Sequence, residues 1–208
     1  MAALGAVIIA GGIVFARWQG QTDIVLTSNM NGSGKLPASG DKPAPPRIPL
    51  EKGTPDHLVI ADRKIDAPIV YIDGADEKTF QDALTKGVVH YPDTALPGEA
   101  GNMYIFGHSS DYKWKPGNYK QVFKPLVDIP IGTVVRITNH EGKLFIYKVT
   151  ETKIVGPKDT SVLDQQNNER KLLTLQTSWP VGTALKRFVA VSELDEEATY
   201  GPQNPPPK

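Results

Sequence analysis

Two segments hold residue types that exceed what a purely structural role needs. The first is GNMYIFGHSSD, residues 101–111. An apolar strand pattern ends at Gly107, and His108, two serines and Asp111 follow at once. A side chain at a strand end stands at a rim, where a group that takes and returns protons must sit to reach a substrate. The plainer reading of His108 is a loop imidazole in an ordinary hydrogen bond. The second segment is LTLQTSWPVGTALKRFVAV, residues 173–191. A strand ends in Thr177-Ser178, a turn carries Pro180 and Gly182, and the next strand opens near Arg187. If the two strands pair as a hairpin, Ser178 and Arg187 lie on opposite sides of its mouth. A nucleophile beside a fixed guanidinium suits acyl chemistry, because Arg can donate to a carbonyl or to a developing oxyanion. The plainer reading is a polar hairpin end with a solvated Arg. Spacing alone does not bring His108 to Ser178, which lies 70 residues further on.

The elements that must position these groups are short. Apolar residues alternate or cluster in brief runs separated by turn signals. Strands are expected over 57–62, 67–72, 102–107, 132–138, 143–151, 171–177 and 187–193, with a turn at Asn139–Gly142. One helix is expected over about 76–86, with Phe80, Ala83 and Leu84 on one face and Gly87 as the stop. A short helical turn fits 121–127. Many short strands, one or two helices and frequent Gly/Pro turns indicate a mainly antiparallel β-barrel or sandwich. There is no βαβ repeat and no Gly-rich phosphate cradle.

Composition closes off other functions. The 208 residues carry 23 acids and 23 bases, so no global field favours nucleic acid. There is no cysteine, hence no disulfide framework, thiolate metal site or thiol nucleophile. The four histidines (57, 90, 108, 140) show no metal-ligand spacing, and no metal or cofactor is expected. At 39% hydrophobic residues the chain can build a core but is not a polytopic membrane protein.

The ends differ from the middle. Residues 2–16 hold no charge. The run is shorter than the roughly 17–25 residues that span a bilayer. It reads as a membrane anchor shortened at its start, the apolar part of a signal peptide, or a buried helix. Arg17, the first base, would by itself place the C-terminal side in the cytoplasm. From Asn31 to Asp56, 10 of 26 residues are Gly or Pro. Such a stretch buries too little surface to offset its ordering entropy. The expected organisation is an anchor over 1–20, a spacer over 21–56, one domain over 57–200 and a disordered tail over 201–208.

Within that domain, LTKGVVHYPDTALPGEAGNMYIFGHSS (84–110), then TLQTS (174–178) and Arg187, resemble the sortases, membrane-anchored cysteine transpeptidases of bacterial surfaces. The stretch from Phe123 through Leu126 to Gly132 is similar as well. The likeness covers about 57–195 and implies a closed, mostly antiparallel barrel of about eight strands. It departs at one position, because Ser178 stands where the family has its catalytic Cys. That is either a Cys→Ser change that disables the enzyme or a natural serine form. A thiol has a pKa near 8.5, lowered beside cations. A Ser hydroxyl needs a strong adjacent base instead.

The resemblance implies that residue 178 attacks the Thr–Gly carbonyl of an LPxTG-like sorting signal on a surface protein or pilin. His108 would protonate the leaving amine and Arg187 would stabilise the oxyanion. The acyl group would pass to an amine of a peptidoglycan precursor or a pilin lysine. Thr177, Trp179, Thr94, Ala95 and Leu96 are weaker candidates for substrate contact. The membrane would be reached through the N-terminal segment with the catalytic domain outside, contrary to the Arg17 bias. No calcium cluster and no Asp-Pro-aromatic lid are expected, and the turn TSWP suggests a class D to F member. Two other readings stay open: a non-catalytic peptide-binding barrel, and a serine hydrolase using Ser178, His108 and an acid such as Asp111.

Overall fold

The computed structural model describes residues 53–166 and 169–201. The expected anchor, most of the spacer and nearly all of the tail lie outside the described residues. Eight strands form the domain: β1 (His57–Ile60), β2 (Ile65–Tyr71), β3 (Val88–His90), β4 (Gly101–Phe106), β5 (Val134–Thr138), β6 (Leu144–Val155), β7 (Lys171–Trp179) and β8 (Lys186–Leu194). They close into a barrel in the order β1-β2-β3-β4-β7-β8-β6-β5, with β5 pairing back to β1. β2–β3 and β4–β7 run parallel and the other pairings are antiparallel. The barrel is therefore mostly antiparallel, as the sequence indicates.

Alternation decides what faces inward, since successive side chains of a strand point to opposite faces. Met103 and Ile105 of β4, Leu173 and Leu175 of β7, and Phe188 and Ala190 of β8 join one buried cluster with Leu58, Ile60, Val135 and Tyr147. The opposite parity of the same strands faces outward, and part of that face is covered rather than solvated. Helix α1 (Glu77–Leu84) covers one part of it. Asp76 caps the helix by accepting from Thr79 N at 3.0 Å. Ala83 and Leu84 then pack with Val89, Val70, Ile72 and Phe106. The helix is the crossover between parallel β2 and β3, a single βαβ unit. Gly87 follows it, and a Cβ there would lie 2.2 Å from the Pro68 carbonyl oxygen. Only glycine lets β3 come this close to β2.

The segment after β6 covers the rest. Asn102, on the outer parity of β4, donates to Val162 O at 2.8 Å and accepts from the Thr174 hydroxyl at 2.7 Å. Gln165 accepts from the backbone N–H of Asn102 at 3.0 Å and donates to Asn102 O and Leu163 O at 2.9 Å each. These bonds pin the 156–166 stretch to the barrel.

The sequence-based expectations differ from the structure in several places, beginning with the strand expected over 57–62, which ends at Ile60 where Ala61–Arg63 turn as a 3-10 helix. β3 was not expected, because three residues are too few to show a period. β6 runs on to Val155, four residues past its expected end, where Thr150 and Glu151 meet a register irregularity against β8. A second helix, α2 (Glu196–Thr199), is one turn capped by Asp195 and carries no apolar stripe. The helical turn expected at 121–127 is a 3-10 turn at Lys124–Leu126.

Phe123 is fully buried, lies against Gly107, and donates its backbone N–H to His108 O at 2.9 Å. Phe123→Ala is expected to lower unfolding stability by about 3–5 kcal/mol in denaturant titration. Asn102→Ala strands the Thr174 hydroxyl and the Val162 carbonyl, and the same titration should show a loss of about 1–3 kcal/mol.

Candidate active site

The register of two parallel strands assembles the site. β4 and β7 pair from Gly101↔Lys171 to Phe106↔Gln176, a constant offset of 70 residues. Gly107 N continues the ladder by donating to Gln176 O at 3.1 Å. The Thr177 hydroxyl closes the end by donating to Gly107 O at 2.9 Å. One more step along both chains reaches His108 and Ser178, which share the outward parity of Phe106 and Gln176. On the other side of β7, Ser178 is paired directly with Arg187 of β8. Ser178 and Arg187 are thus neighbours across the β7–β8 ladder, and the end of the β4–β7 ladder delivers His108 to the same groove.

All three line a groove of about 500 Å³. Phe80 of α1, Tyr91, Tyr104 and Phe106 form an aromatic side of it; Phe80 meets Phe106 edge-on at 5.2 Å, and Tyr91 meets Tyr104 edge-on at 6.0 Å. The pinned stretch contributes Pro157, Thr160, Val162 and Leu163, of which Val162 and Leu163 pack with Tyr104, Tyr91 and Phe106. A groove that mixes aromatic and aliphatic surface with polar groups such as Gln81, Asp159 and Gln176 offers a peptide both apolar contact and hydrogen-bond partners.

The polar end has a defined electrostatic character. His108 Nε2 lies 3.7 Å from Asp111 Oδ2, and Lys115 Nζ lies 3.1 Å from Asp111 Oδ1. Burial of the ring pushes the His108 pKa below its ordinary value; Asp111 opposes this and Lys115 adds to it. Burial pushes the Asp111 carboxyl up, but the Tyr112 backbone N–H, the Lys115 ammonium and His108 outweigh it and hold it below the usual range. The imidazole is therefore neutral at pH 7 and able to accept a proton. Arg187 Nη1 donates to Ala184 O and Lys186 O, both at 3.0 Å, which ties the guanidinium to the turn. A guanidinium has five N–H donors, so this bracing leaves capacity for a substrate oxygen. Burial raises the phenol of Tyr104 well above its ordinary range against the lowering influence of Arg187.

The weaker candidates are placed differently. Thr177 lines the groove, but its hydroxyl is used by Gly107 O, so it supports the backbone beside His108. Trp179 packs against the core cluster, with Lys186 Nζ 5.9 Å from its ring centre, and does not line the groove. Thr94, Ala95 and Leu96 do not line it either. The Thr94 hydroxyl donates to Tyr91 O at 2.7 Å, Ala95 O meets His90 Nε2 at 3.0 Å, and Leu96 N donates to Glu99 Oε2 at 2.9 Å. These bonds hold a fixed loop. Sequence reasoning missed the aromatic side; its signal is the alternation of Tyr104 and Phe106 with the inward Met103 and Ile105. Among the described residues no group of three or more His, Asp or Glu side chains is placed to hold a metal ion.

Comparison with known proteins agrees with this fold. A family model described as the sortase domain matches residues 58–195. Sortase D of Bacillus subtilis (strain 168) is 33% identical over 129 residues, 61% of this chain and 57% of that relative. The chain thus spans just over half the length of that curated relative. Among solved structures, sortase C-1 from Actinomyces oris has a TM-score of 0.55 at 27% identity, covering 66% of this chain and 72% of that one. A Clostridium perfringens Sortase D5 transpeptidase has a TM-score of 0.53 at 26% identity, covering 66% and 76%. With a domain model spanning the whole barrel and the same fold in the solved relatives, the chain belongs to the sortase family.

Proposed function

We propose that this chain is a sortase-type transpeptidase domain that takes an LPxTG-like sorting signal into its groove and carries serine at the nucleophile position. The observation behind this reading is that His108, Ser178 and Arg187 line one trough. The peptide lies extended along the groove that the aromatic residues and the pinned stretch line together, with the Thr–Gly carbonyl at Ser178. Contacts along the peptide position that bond. Arg187 donates to the carbonyl oxygen as it gains charge. His108 takes the hydroxyl proton as Ser178 attacks, gives it to the departing glycine amine, and later takes one from the acceptor amine and returns it to the residue-178 oxygen. The acceptor belongs to a peptidoglycan precursor or a pilin lysine. The N-terminal segment tethers the domain to the outer side of a bacterial membrane.

The hydroxyl at 178 makes this form slow. A thiol beside a guanidinium and an imidazole ionises near neutral pH, whereas a hydroxyl depends on full proton removal in the transition state. A serine-hydrolase reading draws on the His108–Asp111 contact. It is the weaker one, because Lys115 lies nearer to that carboxylate than His108 does.

Ser178→Cys is expected to raise cleavage of an LPxTG-type peptide by about 10³-fold or more. Peptide binding measured by calorimetry should stay within about threefold, on the ground that the nucleophile contributes to the transition state rather than to uniform binding. Equal cleavage rates for the two forms would refute the reading. A fluorophosphonate probe should leave the Ser178 form unlabelled; labelling would favour the hydrolase.

His108 should titrate below 6.5, followed by the shift of its ring protons, and Asp111→Asn should move its midpoint lower still. The unfolded imidazole, with a pKa near 6.5, binds a proton that the folded one refuses. The stability it contributes is therefore present above about pH 6.5 and is lost as pH falls through that value toward the depressed folded pKa.

A further inference from the structure

The sequence contains two Leu-Pro pairs, Leu36-Pro37 and Leu96-Pro97. The second is built into the domain. Leu96 N donates to Glu99 Oε2 and Gly98 N to the Tyr147 hydroxyl, both at 2.9 Å, so that backbone is not free to lie extended in a groove. It also continues as Gly98-Glu99-Ala100, without the hydroxyl residue and the glycine that close an LPxTG pattern. The first pair continues as Ala38-Ser39-Gly40. Leu36–Gly40 therefore reads L-P-A-S-G, and it departs from LPxTG only by the methyl group that Thr has and Ser lacks. We propose that this pentapeptide is a cleavage site for a thiol-carrying copy of the domain, which cuts between Ser39 and Gly40 and detaches the barrel from the N-terminal segment. This rests on the transpeptidase reading above.

Two features support it. The first is chemical fit. Tyr104, Phe106, Val162 and Leu163 give the groove apolar surface of the kind that Leu36 and Pro37 would cover. Gln176 and Arg187 line the same groove and offer hydrogen-bond partners to a peptide backbone and to a Ser39 hydroxyl. The second is position. Every strand and helix of the domain lies C-terminal to Gly40, so a cut there removes none of them. Twelve residues, 41–52, separate Gly40 from Gly53, where the described domain begins. Fully extended, that many residues span roughly 40 Å. A second copy therefore has enough chain to take the pentapeptide into its groove while the first barrel stays folded.

The chemistry balances. The thiol that Ser178→Cys supplies passes its proton to His108, and its sulfur attacks the Ser39 carbonyl carbon of the other copy. The C–S bond forms and the Ser39–Gly40 C–N bond breaks, with the proton going from His108 to the Gly40 amine. Water, its proton taken by His108, then attacks the thioester carbon, and the C–S bond breaks to return the sulfur to residue 178. One water is consumed. The products are a segment ending in the Ser39 carboxyl and a domain beginning with the Gly40 amine. Serine at 178 slows the same steps, so this form leaves its own spacer whole.

The test mixes the full Ser178 chain, held in detergent micelles, with a smaller amount of the full Ser178→Cys chain. Intact-mass spectrometry follows the pieces 1–39 and 40–208, and the mass difference between oxygen and sulfur at residue 178 tells which copy was cut. Both pieces should accumulate, and the Ser178 chain incubated alone should stay whole. Pro37→Ala in both copies should lower the product at least about tenfold, since it removes a contact that positions the scissile bond. Pro37 belongs to no strand or helix of the described domain, and cleavage of a separate LPxTG-type peptide by the doubly substituted chain should be unchanged. A cut at Gly40 in either copy that Pro37→Ala suppresses supports the site. Three results overturn it: a chain that stays whole while the Ser178→Cys copy cleaves the separate peptide, a cut elsewhere in the spacer only, or a cut at Gly40 that Pro37→Ala leaves unchanged. If the Ser178→Cys copy cleaves no LPxTG-type peptide, the transpeptidase reading falls and this proposal falls with it.

Discussion

The site depends on the parallel pairing of β4 with β7. Parallel neighbours end at the same rim, so two strand ends can place side chains next to each other without help from a loop. Here the offset of 70 residues holds along the whole ladder and extends through the Gly107 and Thr177 bonds. A slip of one residue would turn either His108 or Ser178 toward the barrel interior. The antiparallel register of β7 with β8 adds Arg187 by the same logic. Gly107 has to be small because Phe123 rests 2.8 Å from where a Cβ would stand, and Phe123 in turn holds the His108 carbonyl. The core and the rim are one mechanical unit.

Most of the barrel could be read from the sequence because its longer strands alternate. Seven of the eight strands coincide with expected runs, and the helix at 77–84 sits inside its expected span. β3 escaped notice because its three residues, Val88–His90, are all buried and so show no polar–apolar alternation. α2 escaped because a single turn held by Asp195 has no periodic face. The three rim residues were legible as types at strand ends, yet their meeting was not. The 70-residue interval carries no information until β4 and β7 are known to be neighbours. The loop at Thr94–Leu96 shows the reverse case. Its composition marks a fixed turn, and the structure explains why: Ala95 N and Asn102 N share the oxygen of Gln165, so the loop helps to brace the trough from behind.

The groove walls also separate two physical tasks. The aromatic side presents edge-to-face rings that offer area and shape with few donors. The pinned stretch is held by amide side chains whose bonds go to backbone atoms, which fixes its position without committing its outward surface to one ligand. His108 and Arg187 stand by the strand termini, with Asp111 and Lys115 behind the imidazole, while Glu77, Lys158 and Asp159 add charge elsewhere on the lining. A neutral imidazole in this setting can move protons in both directions, and its depressed pKa follows from burial more than from any one neighbour.

The connection between β4 and β7 runs through β5, β6 and their loops, so the defining ladder joins residues far apart along the chain. Contacts of this kind carry a high entropic cost of closure and are associated with slow folding. Residues 108 and 178 come together only once that ladder has closed. An unfolded chain thus holds its imidazole, hydroxyl and guanidinium far apart, and the rim acquires its chemistry only when the barrel is sealed.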